Sequence, residues 1–320
     1  MASIRARLMW RLLELSARLP GTAKPPFPSV EEVAQGLTEE HKEIIAARRA
    51  RMERMARRAG PPKEARFEPV DAGGVPAAWV STPEAKQDQA ILYLHGGGYY
   101  AGSLTTHQAL AANISLEADA RVLLVDYRLA PEHPFPAAVE DATQAYRWLL
   151  RRGLPPERMA VAGDSAGGGL AVAAMLEWKA SGEPLPAAGV CLSPWFDLAL
   201  TGESIETKAS VDPILRPSDM PFVAWCYLRS ADPKTPTASP LYGDLTGLPP
   251  ILVQVGTDEI LLDDSRRFAE RGRRMGVSVR LDIWDEMIHV WHAYSRFVPE
   301  ARKAIAAIGA FLKATWGPSR

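Results

Sequence analysis

The chain is short of several things that would assign it to a specialised class. Its 320 residues hold two cysteines, Cys191 and Cys226, each inside an apolar run, which excludes a disulfide framework and a cysteine metal site and fits a reducing compartment. No apolar run approaches the roughly 20 residues needed to cross a bilayer. Arginines at 5, 7, 11 and 18 break up the amino terminus, so the apolar core of a signal peptide is missing. With a formal net charge of -1 the chain has no global pull toward nucleic acid or anionic membranes. No repeat or low-complexity tract occurs. The expectation is a soluble, cytoplasmic, globular protein without nucleic-acid partner or integral membrane segment. Asparagine is also scarce, Asn113 being alone, while proline is plentiful at 27 residues. That pair of biases suits a heat-tolerant protein and a GC-rich genome equally.

What is present alternates. Apolar runs near Ala90 to Leu94, Val122 to Tyr127, Met159 to Ala162, Val190 to Leu192, Ile251 to Val255 and Val279 to Ile283 read as strands. Helical patterns fall between them, near 105 to 117, 137 to 152, 166 to 180, 263 to 275 and 300 to 314. Near-continuous apolar strands separated by helices predict an α/β fold with a mostly parallel sheet covered on both faces. Two further runs, Ala65 to Val70 and Val75 to Val80, read as a hairpin. The predicted core is 61–195 with 251–320, a single domain. Residues 196–250, rich in Pro, Ser, Thr and Asp with a helical patch near 218 to 229, interrupt it as a cap insertion above the strand ends. Residues 1–60 form the amino-terminal part of that cap. They contain helical runs over 4 to 19 (Ile4, Leu8, Leu12, Leu15, Leu19) and about 38 to 59, split by Pro25, Pro26 and Pro28. Twelve Lys/Arg against seven Asp/Glu give this segment a local excess of +5, read as a solvated face.

The chemistry centres on Gly163-Asp-Ser165-Ala-Gly167, where a short apolar run stops and a helical pattern resumes at once. Glycines two positions either side of Ser165 suit a strained strand-to-helix elbow that lifts one hydroxyl above the sheet edge. The stretch is not a dinucleotide loop, which would need glycine at 165, nor a phosphate loop, which would need Gly-Lys-Ser/Thr. At the end of an earlier strand, His95-Gly96-Gly97-Gly98-Tyr99 leaves backbone N–H groups uncovered, as an oxyanion requires. A serine nucleophile also needs a base and an acid, later in the chain in that order: acid, then histidine. Only His289 and His292 follow Ser165. Their spacing could suggest a metal pair, but no third ligand is suitably placed. The acid is expected just past the strand ending near Val255, and Asp258 is favoured over Glu259 as the first carboxylate there; Asp263 and Asp264 fall on the next helix.

These motifs resemble those of the hormone-sensitive-lipase family of carboxylesterases, bacterial family IV. His95-Gly-Gly-Gly98, Tyr127-Arg-Leu-Ala-Pro-Glu-His-Pro-Phe-Pro136, Gly163-Asp-Ser-Ala-Gly167, and the Asp258 and Met287-Ile-His289 segments occur in the family's order across about 65 to 315. The resemblance implies an α/β-hydrolase fold with a helical cap, and a serine esterase without metal or organic cofactor that acts on short- to medium-chain acyl esters. It implies Ser165, Asp258 and His289 as the triad, and the amides of Gly97, Gly98 and Ala166 as oxyanion hole, with Gly96 behind them. His95 would support rather than catalyse. Tyr99 departs from the Trp or Phe often found there, and with Leu215 and Phe222 it is a candidate substrate-binding residue. Leu8, Trp10, Leu12 and Trp225 are candidates for lining the acyl pocket or for packing within the cap. Family members often pair through the last strand, so an edge there offers a surface to a second copy. An amidase or acyltransferase would share the triad. A non-catalytic receptor like the plant gibberellin receptors would lack the histidine, which this chain keeps.

Overall fold

The structure, a computed structural model, describes residues 2–18, 26–33 and 36–317. Leu19 and Pro25 lie outside them. Eight strands form one sheet: β1 (Arg66–Asp71), β2 (Pro76–Ser81), β3 (Lys86–Leu94), β4 (Ala120–Val125), β5 (Met159–Asp164), β6 (Ala188–Leu192), β7 (Ile251–Asp258) and β8 (Val279–Ile288). Their order is β1-β2-β4-β3-β5-β6-β7-β8. From β4 to β8 every pairing is parallel, while β1–β2 and β2–β4 are antiparallel. The predicted hairpin thus extends the sheet on the side away from β8.

The described helices are α1 (Ile4–Arg18), α2 (Glu39–Ala59), α3 (Leu104–Ala118), α4 (Ala137–Arg151), α5 (Ala166–Ala180), α6 (Ser204–Thr207), α7 (Met220–Leu228), α8 (Leu262–Arg274) and α9 (Pro299–Trp316). Both faces of the parallel strands are covered, because their side chains alternate between two apolar clusters. Leu92, Leu94, Val161, Cys191 and Val253 meet α4, α5 and α8 on one face. Ile91, Tyr93, Ala162, Val190 and Leu252 meet α3 and α9 on the other. Cys191 and Cys226 are buried free thiols, and no helix among the described residues is long and apolar enough to cross a membrane.

The segments expected to cap the sheet divide into two. Phe27 stacks on Phe222 of α7 at 4.6 Å between ring centroids, and the Arg48 guanidinium of α2 lies 3.6 Å over Phe27 while bonding Asp219 at 3.0 Å. Residues around α2 therefore meet the 196–250 insertion. α1 sits mainly on the core instead. Its Ala2, Ala6 and Trp10 pack on Met287, Ile288, Trp291, Val298 and Ala301, at the end of β8 and against α9, with Ile214 of the insertion packed against the same cluster. Ser210 and Val211 face it across a cleft. Leu8 and Leu12, expected to pack within the cap, are exposed instead.

Candidate active site

β5 runs directly into α5 through Ser165, whose φ of 53° and ψ of -122° lie outside the regions open to an unstrained L-residue. A Cβ on Gly163 would stand 2.2 Å from the Gly167 carbonyl oxygen, and one on Gly167 would stand 2.0 Å from the Leu94 carbonyl oxygen. Both distances are far inside van der Waals contact, so the elbow closes only with glycine at these positions. Ser165 N–H donates to the Leu192 carbonyl at 2.8 Å, which ties the turn to β6.

The residue before the serine organises the glycine loop. Asp164 Oδ1 accepts from the Tyr93 hydroxyl at 2.8 Å and from Gly96 N–H at 3.1 Å, and Oδ2 accepts from His107 Nε2 at 3.3 Å. Burial alone would raise the Asp164 carboxyl, but His107 and the Tyr93 hydrogen bond outweigh it and bring it down to about 2. Next to it His95 is stacked between Tyr127 and His107, donates from Nδ1 to the Gly96 carbonyl at 2.9 Å, and is held neutral because burial lowers its pKa to about 3. The Tyr127 hydroxyl closes the arrangement by donating to the His95 carbonyl at 2.6 Å. Gly97 then takes a φ of +118°, and neither its N–H nor that of Gly98 has a protein acceptor among the described residues. The N–H of Ala166, in the first turn of α5, has no partner within the helix. Free donors are thus present at the three predicted positions.

His289 follows β8 and bridges two groups. Ser165 Oγ donates to Nε2 at 2.9 Å, and Nδ1 donates to Oε2 of Glu259 at 2.9 Å. The acid that reaches the imidazole is therefore Glu259, not the expected Asp258. β7 continues to 258 rather than stopping near 255, so Asp258 is still a strand residue, paired with Ile288. Strand side chains alternate in direction. Asp258 consequently lines a cleft with Arg7, Trp10, Val211 and Glu286, hydrogen-bonded to the Thr257 hydroxyl at 3.2 Å. Glu259 is the first residue past the strand and is wholly buried. Its Oε1 accepts from Ser193 Oγ at 2.8 Å and from Gly256 N–H at 2.7 Å. Burial would depress the His289 pKa, but the hydrogen bond and charge of Glu259, with the charges of Asp212 and Asp164, leave it above its ordinary value.

His292 is set apart. Its Nε2 donates to Gln254 Oε1 at 2.9 Å, and burial lowers its pKa to about 3. Among the described residues no group of acids, histidines and cysteines could hold a metal ion. Tyr99, expected at the pocket wall, is 1% exposed and stacks on Tyr227 at 3.7 Å, so it supports the glycine loop from the interior. Phe222 is likewise buried, while Leu215 is half-buried with its N–H held by Asp212. Val223 was not foreseen; its side chain stands 2.7 Å from where a Gly98 Cβ would be. Asp164, Ser193 and Asp212 were also missed, and only Asp164, adjacent to the serine, carried a signal in sequence.

A strand-to-helix serine, a histidine after the last strand and a buried carboxylate after the one before it define an α/β hydrolase. A family profile described as alpha/beta hydrolase fold matches residues 91–293. An acetyl-hydrolase of Streptomyces hygroscopicus is 48% identical over 248 residues, 78% of this chain and 83% of its own. An esterase of Acinetobacter venetianus is 38% identical over 244 residues, 76% and 80% of the two chains. Among solved structures, an esterase from the bacterial hormone-sensitive lipase family superposes with a TM-score of 0.87 at 43% identity, covering 99% of this chain and 100% of that one. EstE5, soaked by p-nitrophenyl butyrate, gives 0.89 at 41%, covering 98% and 99%. The chain belongs to the hormone-sensitive-lipase family of α/β hydrolases and is a carboxylic ester hydrolase.

Proposed function

We propose that Ser165, His289 and Glu259 act as nucleophile, base and orienting acid on short acyl esters, the amides of Gly97, Gly98 and Ala166 holding the oxyanion. The observation that carries this reading is the continuous hydrogen-bonded line from Ser165 Oγ through the His289 ring to Glu259. His289 Nε2 takes the serine proton as Oγ attacks the ester carbonyl, and the carbonyl oxygen becomes the anion that the three amides receive. Glu259 stabilises the imidazolium and fixes the tautomer that leaves Nε2 free to accept. Collapse of the intermediate breaks the bond to the alcohol oxygen, which leaves with the proton from His289. Water then attacks the acyl-serine by the same route and restores the free hydroxyl.

Residues around α2 and the 196–250 insertion form the cap in this reading, with Phe27, Arg48 and α7 as its joined part. A covered pocket of limited depth favours short chains, in keeping with the name of the Streptomyces relative, an acetyl-hydrolase. Two buried free thiols accord with a cytoplasmic protein. β8 ends the sheet and leaves Ile283 43% exposed, which supports pairing with a second copy along this edge. A panel of p-nitrophenyl esters of increasing chain length, run beside anilides and alcohol acceptors, tests the reaction class. Highest turnover is expected on acetate and butyrate esters, and faster anilide cleavage or acyl transfer would overturn it. Light scattering at micromolar concentration tests the dimer, and a monomer would remove it.

A further inference from the structure

α1 carries two apolar faces, and among the described residues one of them is buried against the chain while the other is exposed. Ala2, Ala6 and Trp10 recur every fourth residue and are buried, with the Trp10 Nε1–H donating to the Glu286 carbonyl at 3.1 Å. On the other side Ile4, Leu8, Leu12 and Leu15 recur at spacings of four, four and three, which places them on one stripe. They are 78%, 57%, 61% and 59% exposed and account for four of the nine large exposed hydrophobic residues among those described. At about 100° per residue, Arg5 falls on one border of the stripe and Arg11 on the other. Both are exposed, and the sequence from Ile4 to Leu15, the span of the stripe, holds three arginines and one acid, Glu14.

We propose that this face of α1 docks the protein on an anionic lipid surface, the four aliphatic side chains entering the headgroup boundary while Arg5 and Arg11 meet lipid phosphates. An apolar stripe bordered by arginine on both sides is the pattern of a helix lying in the plane of such an interface. The same borders argue against a second copy as occupant, since a two-fold pairing of the stripe would bring its arginine borders together. Arg7, which lies nearer the buried face, is already held by Glu286 at 2.8 and 2.9 Å. The buried face of α1 sits on Met287 and Ile288, immediately before His289. Docking would therefore hold the carboxyl ends of the strands close to the lipid.

The test uses the full chain and is read without substrate, so it stands apart from the proposed esterase mechanism. Co-sedimentation with vesicles of phosphatidylcholine and phosphatidylglycerol is expected to show binding that vesicles of phosphatidylcholine alone do not, and that added salt weakens. Leu8→Ser with Leu12→Ser should weaken it at least about tenfold, and Arg5→Gln with Arg11→Gln about 25-fold, from roughly fivefold for each basic residue near an anionic surface. Both pairs are exposed, so hydrolysis of p-nitrophenyl acetate in solution should not change. Failure of the intact protein to bind, equal binding to neutral vesicles, or undiminished binding by the leucine variant would overturn the proposal. Dissociation of a dimer by the leucine variant, with no vesicle binding by the intact chain, would assign the face to a second copy instead.

Discussion

The carboxyl ends of β5 and β7 both supply a residue to the site, yet they are specified in different ways. At β5 the place of Ser165 is marked by residue type: Gly163 faces the Gly167 carbonyl oxygen and Gly167 faces the Leu94 carbonyl oxygen of β3 at distances that no Cβ could occupy, so the turn needs glycine at both positions. At β7 nothing local chooses between Asp258 and Glu259, two adjacent carboxylates of similar reach. Strand alternation chooses, and it depends on where the ladder with β8 ends. A steric constraint leaves a mark in residue type that can be read from the sequence, whereas a direction in a sheet is set by the partner strand.

Substitutions at the two ends should separate these kinds of specification. Ser165→Ala is expected to lower kcat by about 10⁶ with the circular dichroism unchanged, and His289→Ala to do the same, since groups acting as a unit lose together. Residual activity above a few per cent would remove Ser165 from its role. Glu259→Gln should cost about 10⁴ in kcat, because the amide can no longer stabilise the imidazolium, while Asp258→Asn should cost less than about tenfold. Reversed magnitudes would return the acid to position 258. His292→Ala should also cost less than about tenfold in kcat, its ring being turned to Gln254 rather than Ser165. The smallest effect concerns pH. Only neutral His289 can accept the serine proton, and its pKa is raised, so kcat/KM should climb with pH through a midpoint above the ordinary imidazole value of about 6.5. A profile flat from the acid side upward would contradict this. In the remaining activity of Glu259→Gln the midpoint should move down, since a negative charge that favours the imidazolium is gone.

A second contrast lies within residues 1–60. Sequence periodicity found α1 and α2 as amphipathic helices, but it could not say what either apolar face would meet. Phe27 and Arg48 reach the insertion. α1 instead uses its alanines and Trp10 against the end of β8 and leaves its leucines outside. The leucine stripe is the stronger apolar signal in sequence, yet small residues at 2 and 6 allow closer approach of the helix to the core.

By itself the sequence determined the α/β class, the order of strands and helices in the chain, the serine elbow and the glycine loop, since each rests on periodicity or on glycine where a close approach requires it. Between His289 and His292 the residues left both open, and the family resemblance pointed to His289. Only the tertiary structure decided that Glu259 meets the imidazole, that Asp164 anchors the glycine loop through Gly96, that Tyr99 turns inward, and which side of α1 is buried. The physical reason is common to all four. Each is a choice of direction for a side chain, and direction is fixed by the element packed against it, which lies elsewhere in the chain.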